Sequence, residues 1–394
     1  MEQKFEFSGR LKTILIALMG IGLIAIVIGF FQDTHRTWAS MLMYNYWILG
    51  LGVLATFFVA LQYVANAGWS TVIKRVPEAI TTIIPIAGLT LLLVLIFGHH
   101  DLYHWTHEGL MDPESADFDK LLYGKKAWLN LPFMYVRAIG FIGLWTLGSF
   151  LLRKLSRKED IEGGLVFHKK SITLSAAFIF VFAFTFCFAS FDWIMGLEPH
   201  WFSTIFGVYN FASIWVTLFC TMTLIVLYLK RKGYLEQFTD NHLHDFGKFI
   251  FAFSIFWAYI WFSQFLLIYY ANFPEETVYF HKRIYSDFNF WFFFNVIINF
   301  LSPLLILMSR DWKRNHLVMT IVCCLLLFGH GLDLYLMIMP GAVGVEGSSF
   351  GIPEIGPLFF YAGLFLFVVF NSLSKGFLIP QKHPYLEESL HHNQ

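Results

Sequence analysis

The chain has 394 residues, of which 57% are hydrophobic, 20% aromatic and only 14% charged, with a mean hydropathy of +0.61. Soluble domains are about a quarter charged, so this composition excludes an ordinary soluble enzyme and points to a membrane. Lys plus Arg equal Asp plus Glu at 27 each, which leaves no basic footprint for nucleic acid.

Taken in chain order, ten apolar runs reach the roughly 20 residues a helix needs to cross the hydrocarbon core. They lie at about 11–31, 39–65, 78–98, 131–152, 171–195, 202–229, 247–271, 288–308, 316–339 and 355–374. The runs are continuous rather than alternating, so the expected fold is an all-α polytopic bundle and not a β-barrel. The first run follows MEQKFEFSGRLK with no small-residue cleavage site and reads as a retained helix. Residues 1–394 read as a single integral membrane domain, with a tail at 375–394 and no nucleotide-binding or sensor-output segment.

Charge orients the runs. Twenty of the 27 basic residues fall in the N-terminus, the 2–3, 4–5, 6–7 and 8–9 loops and the tail. Six fall in the other loops (Arg36, Lys120, Lys125, Lys126, Lys282, Arg283), and Arg137 lies inside the fourth run. The positive-inside rule then predicts that both termini are cytoplasmic.

The outward 3–4 loop, residues 99–130, carries six carboxylates, three lysines and four histidines, and long ordered loops tend to be functional or to meet partners. His100, His104 and His107 would share one face if the third helix continued, but partner contact is a better reading of this cluster than a metal. The Gly/Pro-rich 9–10 loop, PGAVGVEGSSFGIPEIGP, is expected to cap the outer surface. Cys187, Cys220, Cys323 and Cys324 lie in apolar runs without metal-type spacing and read as buried, inert thiols.

Polar residues inside or beside the runs are the candidate sites, because charge in a bilayer is costly and usually has a use. FDWIMGLEPHW, residues 191–201, places Asp192, Glu198 and His200 at an outer helix end, with Trp193 and Trp201 as expected interface anchors. Asp192 is a candidate proton carrier. The alternative for Glu198 and His200 is a capped turn facing headgroups and water. FGHGLD, residues 328–333, puts His330 and Asp333 three apart on one helical face, seven to ten residues inside the outer end. That pair suits a proton relay or a hydrogen bond to a quinone head. Asp192 precedes Pro199, and Asp333 precedes Pro340, by the same seven residues, an echo that would set both Asp at equivalent depth in two bundles. At the inner ends Arg75 with Glu78, and Asp245 with Lys248, read as the inner half of a proton path or as interhelical glue. Asn45, Gln62, Asn66, Thr81, Thr82, Gln264, Asn295 and Asn299 are expected to face inward.

The run SFDWIMGLEPHWFSTIFGVYNFA, 190–212, together with FGHGLDLYLMIMPG, resembles the NrfD/polysulfide-reductase-type membrane subunits. Within them it is most similar to the second, shorter, ActF-type subunit of bacterial alternative complex III, a quinol:cytochrome c oxidoreductase. The resemblance implies two four-helix bundles, about 39–195 and 202–339, beside a peripheral helix pair, and a place in the bacterial inner membrane. It implies as partners a second NrfD-like subunit, an iron–sulfur protein, multihaem and monohaem cytochromes c, membrane lipids and a docked terminal oxidase. Haem c and iron–sulfur clusters would reside in those partners, with no cofactor in this chain. Menaquinol or another quinol would be oxidised near the outer surface. This chain would be scaffold and proton-translocating subunit first and quinone-binding subunit second. A stand-alone secondary transporter would instead show broken helices and a midplane site, and a purely structural anchor would tolerate neutral residues at Asp192, His330 and Asp333.

Overall fold

The structure, a computed structural model, describes residues 3–345 and 350–392. Among them there is no strand, only an isolated bridge between Lys4 and Phe377. Ten helices among the described residues are long and apolar enough to cross a membrane: α1 Gly9–Gln32, α2 Thr34–Val64, α3 Thr71–Leu102, α4 Leu131–Glu162, α5 Leu165–Leu197, α6 Phe206–Arg231, α7 Asp240–Ala271, α8 Asn289–Ile306, α9 His316–Ala342 and α10 Ile352–Leu373. The chain is a multi-pass membrane protein. Large apolar side chains such as Ile24, Phe31, Leu89, Val136, Phe180 and Leu267 face outward on the belt that lipid would cover.

Local chemistry sets the helix ends. Asp33 alone separates α1 from α2, and its carboxylate accepts the Arg36 N–H at 3.0 Å as a cap. Asn130 caps α4 by accepting from Phe133 N. Gly163 and Gly164, at φ +72° and +76°, turn the chain from α4 into α5 within two residues. Several helices outrun their apolar runs, α4 by ten residues to Glu162, because backbone hydrogen bonding continues past the hydrocarbon edge.

Two spans are broken. In α3, helical pieces Arg75–Ile80 and Ile84–Leu102 meet at a 3-10 turn, Thr81–Ile83, next to Pro85, which lacks an N–H for the preceding turn. Thr81 and Thr82 hydroxyls donate to the Glu78 and Ala79 carbonyls at 2.7 and 2.6 Å. In α8 a π-helical stretch, Ile297–Leu301, precedes Pro303.

Helix α2 is central and touches α3, α4, α5, α6, α9 and α10. Helices α3, α4 and α5 gather around α2, while α7, α8 and α9 gather around one another and α6. Helix α1 packs chiefly on α10. Their backbones approach closely at Gly22, where a Cβ would strike the Phe360 backbone, and at Gly356, which faces Ala25 and Ile26.

Loops separate cleanly to two ends. At one end Arg36 pairs with Glu354, Lys125 donates to the Pro199 carbonyl and Arg283 meets Glu198. At the other, Gln3 accepts from Leu378 N, Lys74 meets Glu159 and Arg314 meets Asn241. Ten alternating passes and two adjacent termini follow. Residues 346–349 of the 9–10 loop lie outside the described residues; its flanks hold the Arg36–Glu354 pair and a Phe350–Tyr335 stack at that loop end.

The tail is docked. Ser389 accepts from Val72 N at 3.1 Å and donates to the Trp69 carbonyl at 2.7 Å, and Lys382 donates to the Ile161 carbonyl at 2.6 Å.

Candidate functional site

Asp192 sits in the last α-helical turn of α5 and is buried against α4. Arg137 Nε donates to Oδ2 at 2.6 Å and Nη2 to Oδ1 at 3.1 Å, a two-pronged ion pair. Trp128 Nε1 donates to Oδ1 at 2.7 Å, and the guanidinium lies 4.1 Å from the Trp128 ring and 4.2 Å from that of Phe133. The lone cation inside the fourth run is therefore the partner of the acid in the fifth. A cavity of about 290 Å³ borders this pair through Trp128, with Lys125, Phe191, Trp201 and Phe202 also lining it. That volume is near the lower end of small-molecule sites, roughly 300–1,000 Å³.

Glu198 does not face headgroups, one of its two readings from the sequence. It is buried, accepting from Arg283 Nη2 at 2.8 Å and pairing with Lys282 at 3.2 Å. Arg283, 1% exposed, also donates to the Leu336, Met337 and Tyr279 carbonyls. A short helix in the 7–8 loop, Pro274–Ile284, places this arginine. His200 does remain half exposed, 3.1 Å from Asp119.

His330 and Asp333 are both fully buried in α9. Asp333 lies nine residues from the end of α9, about 13 Å along the axis. The expected direct pair is not made, because His330 Nδ1 is 4.0 Å from Asp333 Oδ2, too far for a hydrogen bond. His330 Nδ1 instead meets Ser213 Oγ at 3.0 Å, and its Nε2 has no partner among the described residues. Asp333 accepts from the Tyr209 hydroxyl, from Trp257 Nε1 at 2.9 Å and from Asn295 Nδ2 at 2.9 Å. Asn299 donates to Asn295 at 2.6 Å, behind the first ring of donors. Tyr209 and Asn295 also line a void of about 10 Å³ whose far wall is Arg283. One water needs at least about 10–15 Å³. The void is at the lower limit for one water and excludes a quinone ring. It joins the Asp333 cluster to the Glu198–Arg283 pair and, through Lys282, to the loop end that holds Arg36 and Glu354.

At the other end Arg75 joins Glu78 and Asp160, and Lys74 joins Glu159 at 3.2 Å and the Tyr63 hydroxyl at 2.5 Å. His168 Nδ1 contacts Glu159 at 3.2 Å. Glu159, His168 and His383 have ligand atoms within 4.8 Å of one another, yet Lys74 already supplies the positive charge a metal would bring. Burial pushes His383 down to about 3, helped by the nearby Lys74 charge. Asp245 pairs with Lys248 at 2.6 Å and also with His392 of the tail at 2.6 Å. Both inner pairs from the sequence are made, and each has the tail against it.

Other expectations are corrected by packing. Trp193 and Trp201 are buried, Trp201 stacking on Tyr279 at 4.0 Å, rather than anchoring at an interface. Asn66 is exposed in a turn at φ 49°, whereas Asn45 does bridge helices to Thr90 and Tyr361. Cys324 faces outward, 100° around the helix from buried Cys323. Helix α3 stops at Leu102, so His100, His104 and His107 share no helical face, although His100 and His107 stack at 4.4 Å. The Asp–Pro echo ends at the aspartates. The α-helix of α5 closes at Trp193, one residue on, whereas α9 runs through Pro340 to Ala342.

No protein-family model matches the chain, and no curated protein matches it.

Proposed function

We propose that this chain is an integral membrane subunit of a bacterial respiratory quinol:cytochrome c oxidoreductase of the alternative complex III type. It lies in the inner membrane with both termini cytoplasmic. It is built as two four-helix bundles, α2–α5 and α6–α9, beside the peripheral pair α1 and α10. The contacts of α2 with α3–α5, of α6 with α7 and α9, and of α1 with α10 support that grouping. The basic residues of the even-numbered loops and tail support the orientation. Haem c and iron–sulfur clusters belong to the partner subunits: cytochromes c, an iron–sulfur protein and a second subunit of this fold.

The chain's own work in this reading is scaffold and proton handling. The Asp333 cluster carries it. A fully buried carboxylate about 13 Å inside a spanning helix is expensive unless satisfied or used. Asp333 has hydroxyl, indole and amide donors and a water-sized void toward Arg283 and Glu198. Tyr209 and a water in the void can pass a proton along, and His330, whose Nε2 has no partner among the described residues, supplies a second titratable ring one turn away. Quinone contact is the secondary role, and the space for it is the aromatic cavity beside Trp128 and Asp192. A secondary transporter is the reading favoured by the breaks in α3 and α8. Those breaks border no midplane cavity of substrate size among the cavities described here, the void beside α8 being about 10 Å³.

The test is Asp333→Asn in the assembled complex. Quinol:cytochrome c turnover should fall about ten-fold or more, as for loss of a proton-transfer group, with subunit composition unchanged. Full turnover in an intact complex would reduce the chain to an anchor.

A further inference from the structure

The inner end holds a cavity that the proton reading does not use. It measures about 320 Å³ and lies between the start of α3, the end of α4 and the segment that follows α10. Four cations line it: Arg75, Arg153, Arg157 and Lys375. Its two carboxylates, Glu78 and Asp160, are both engaged by Arg75. Arg153, Arg157 and Lys375 have no carboxylate within ion-pair distance among the described residues, and the single hydrogen bond given by the Arg153 side chain runs to its own helix at Ser149. Arg153 and Arg157 stand four apart, on one face of α4. With Arg75 neutralised and one carboxylate charge left over, the three remaining cations give the lining a net charge of +2. The rest of the lining is mainly apolar, with Ala79, Ile161, Leu373 and Phe377 beside Ser372 and Gln381.

An apolar lining beside guanidinium groups that have no carboxylate partner matches an amphiphile with a phosphate head better than a free ion. Guanidinium forks bind phosphate oxygens two at a time. Basic pockets between spanning helices at the positively flanked face are suited to anionic lipid headgroups. The geometry points to a binding site for a dianionic phospholipid headgroup, held by Arg153, Arg157 and Lys375, with its acyl chains against α4 and α10. The site is independent of the respiratory reading and requires only that the chain sits in a bilayer.

Native mass spectrometry of the detergent-extracted protein, in whatever assembly it leaves the membrane, tests this. The probes are diphosphatidylglycerol, phosphatidylethanolamine and inorganic phosphate, offered separately and in competition. The wild type should retain diphosphatidylglycerol and release phosphatidylethanolamine. Arg157→Ala with Lys375→Ala should weaken retention about twenty-five-fold, at about five-fold per cation removed. Both residues are exposed, so the fold should survive their loss. Lys154→Ala with Lys158→Ala, cations on the same helix but outside the cavity, should leave retention unchanged. Equal retention by wild type and the Arg157/Lys375 variant, or an equal loss in the Lys154/Lys158 control, overturns the site. Displacement of the lipid by millimolar inorganic phosphate overturns the lipid as occupant and assigns the pocket to a soluble anion.

Discussion

Arg137 of α4 and Asp192 of α5 neutralise each other inside the bundle. At 2.6 Å and an effective dielectric near 20, the gross attraction is about 6 kcal/mol. Desolvating two ions costs several kcal/mol each, so the pair is close to neutral against a well-packed apolar pair. Removing one partner is different, because a charge is left buried beside apolar rings. Asp192→Leu and Arg137→Met should each destabilise by about 3–5 kcal/mol. The double variant should lose only about 1–3 kcal/mol, mostly from the Trp128 indole left without its acceptor. The coupling energy is then at least about 3 kcal/mol. Equilibrium unfolding in mixed micelles, followed by circular dichroism, measures all three. Single losses below about 1 kcal/mol, or a double loss equal to the sum of the singles, would refute the idea that the acid is held by this cation. The same pairing bears on function. If Asp192 is structural, turnover of the double variant should stay near that of the wild type once assembly is matched.

Three further outcomes follow from other parts of the bundle. His383 is neutral when docked, at about 3 against 6.5 for a free imidazole. The undocked tail therefore binds the extra proton, so docking is fully stable above about pH 6.5 and weakens as pH falls toward 3, by up to ten-fold per pH unit. Tail proteolysis against pH should show that slope and lose most of it in His383→Gln; a flat profile contradicts it. Gly22→Leu should detach α1 from α10, since its side chain would occupy the Phe360 backbone, and cross-linking between the two helices should fall. Gly329→Val should lower stability by about 1–3 kcal/mol by striking Asn299 and Ile298 behind Asp333, whereas Gly20→Ala, mid-helix with open space around it, should cost nothing in the same unfolding assay.

The ten spans could be read from the sequence because each is a local property of about 20 consecutive residues. The breaks were visible only as Pro85 and Pro303; the 3-10 and π turns beside them depend on which carbonyls Thr82 and Ser302 reach. Of the site, Asp192, Glu198, His330 and Asp333 stood out because acids and imidazoles are rare in apolar runs. Their partners did not, because Arg137 is 55 residues from Asp192, Arg283 is 85 from Glu198 and Tyr209 is 124 from Asp333. One signal was available: Arg137 was the only Lys or Arg more than two residues inside a run, and a buried cation needs an acid. The i,i+3 spacing of His330 and Asp333 set a shared face but not the 4.0 Å gap, since Ser213 competes for the imidazole. The docked tail had no local signal, being polar and aperiodic.

Gentle detergent extraction through a tag on the C-terminal tail tests membership of a respiratory complex. A visible spectrum and mass spectrometry of the co-eluting proteins are the readouts. Membership should show as haem c absorbance together with an iron–sulfur protein and a second ten-helix subunit. A colourless chain, alone or associated only with itself, would contradict it and put the transporter reading first.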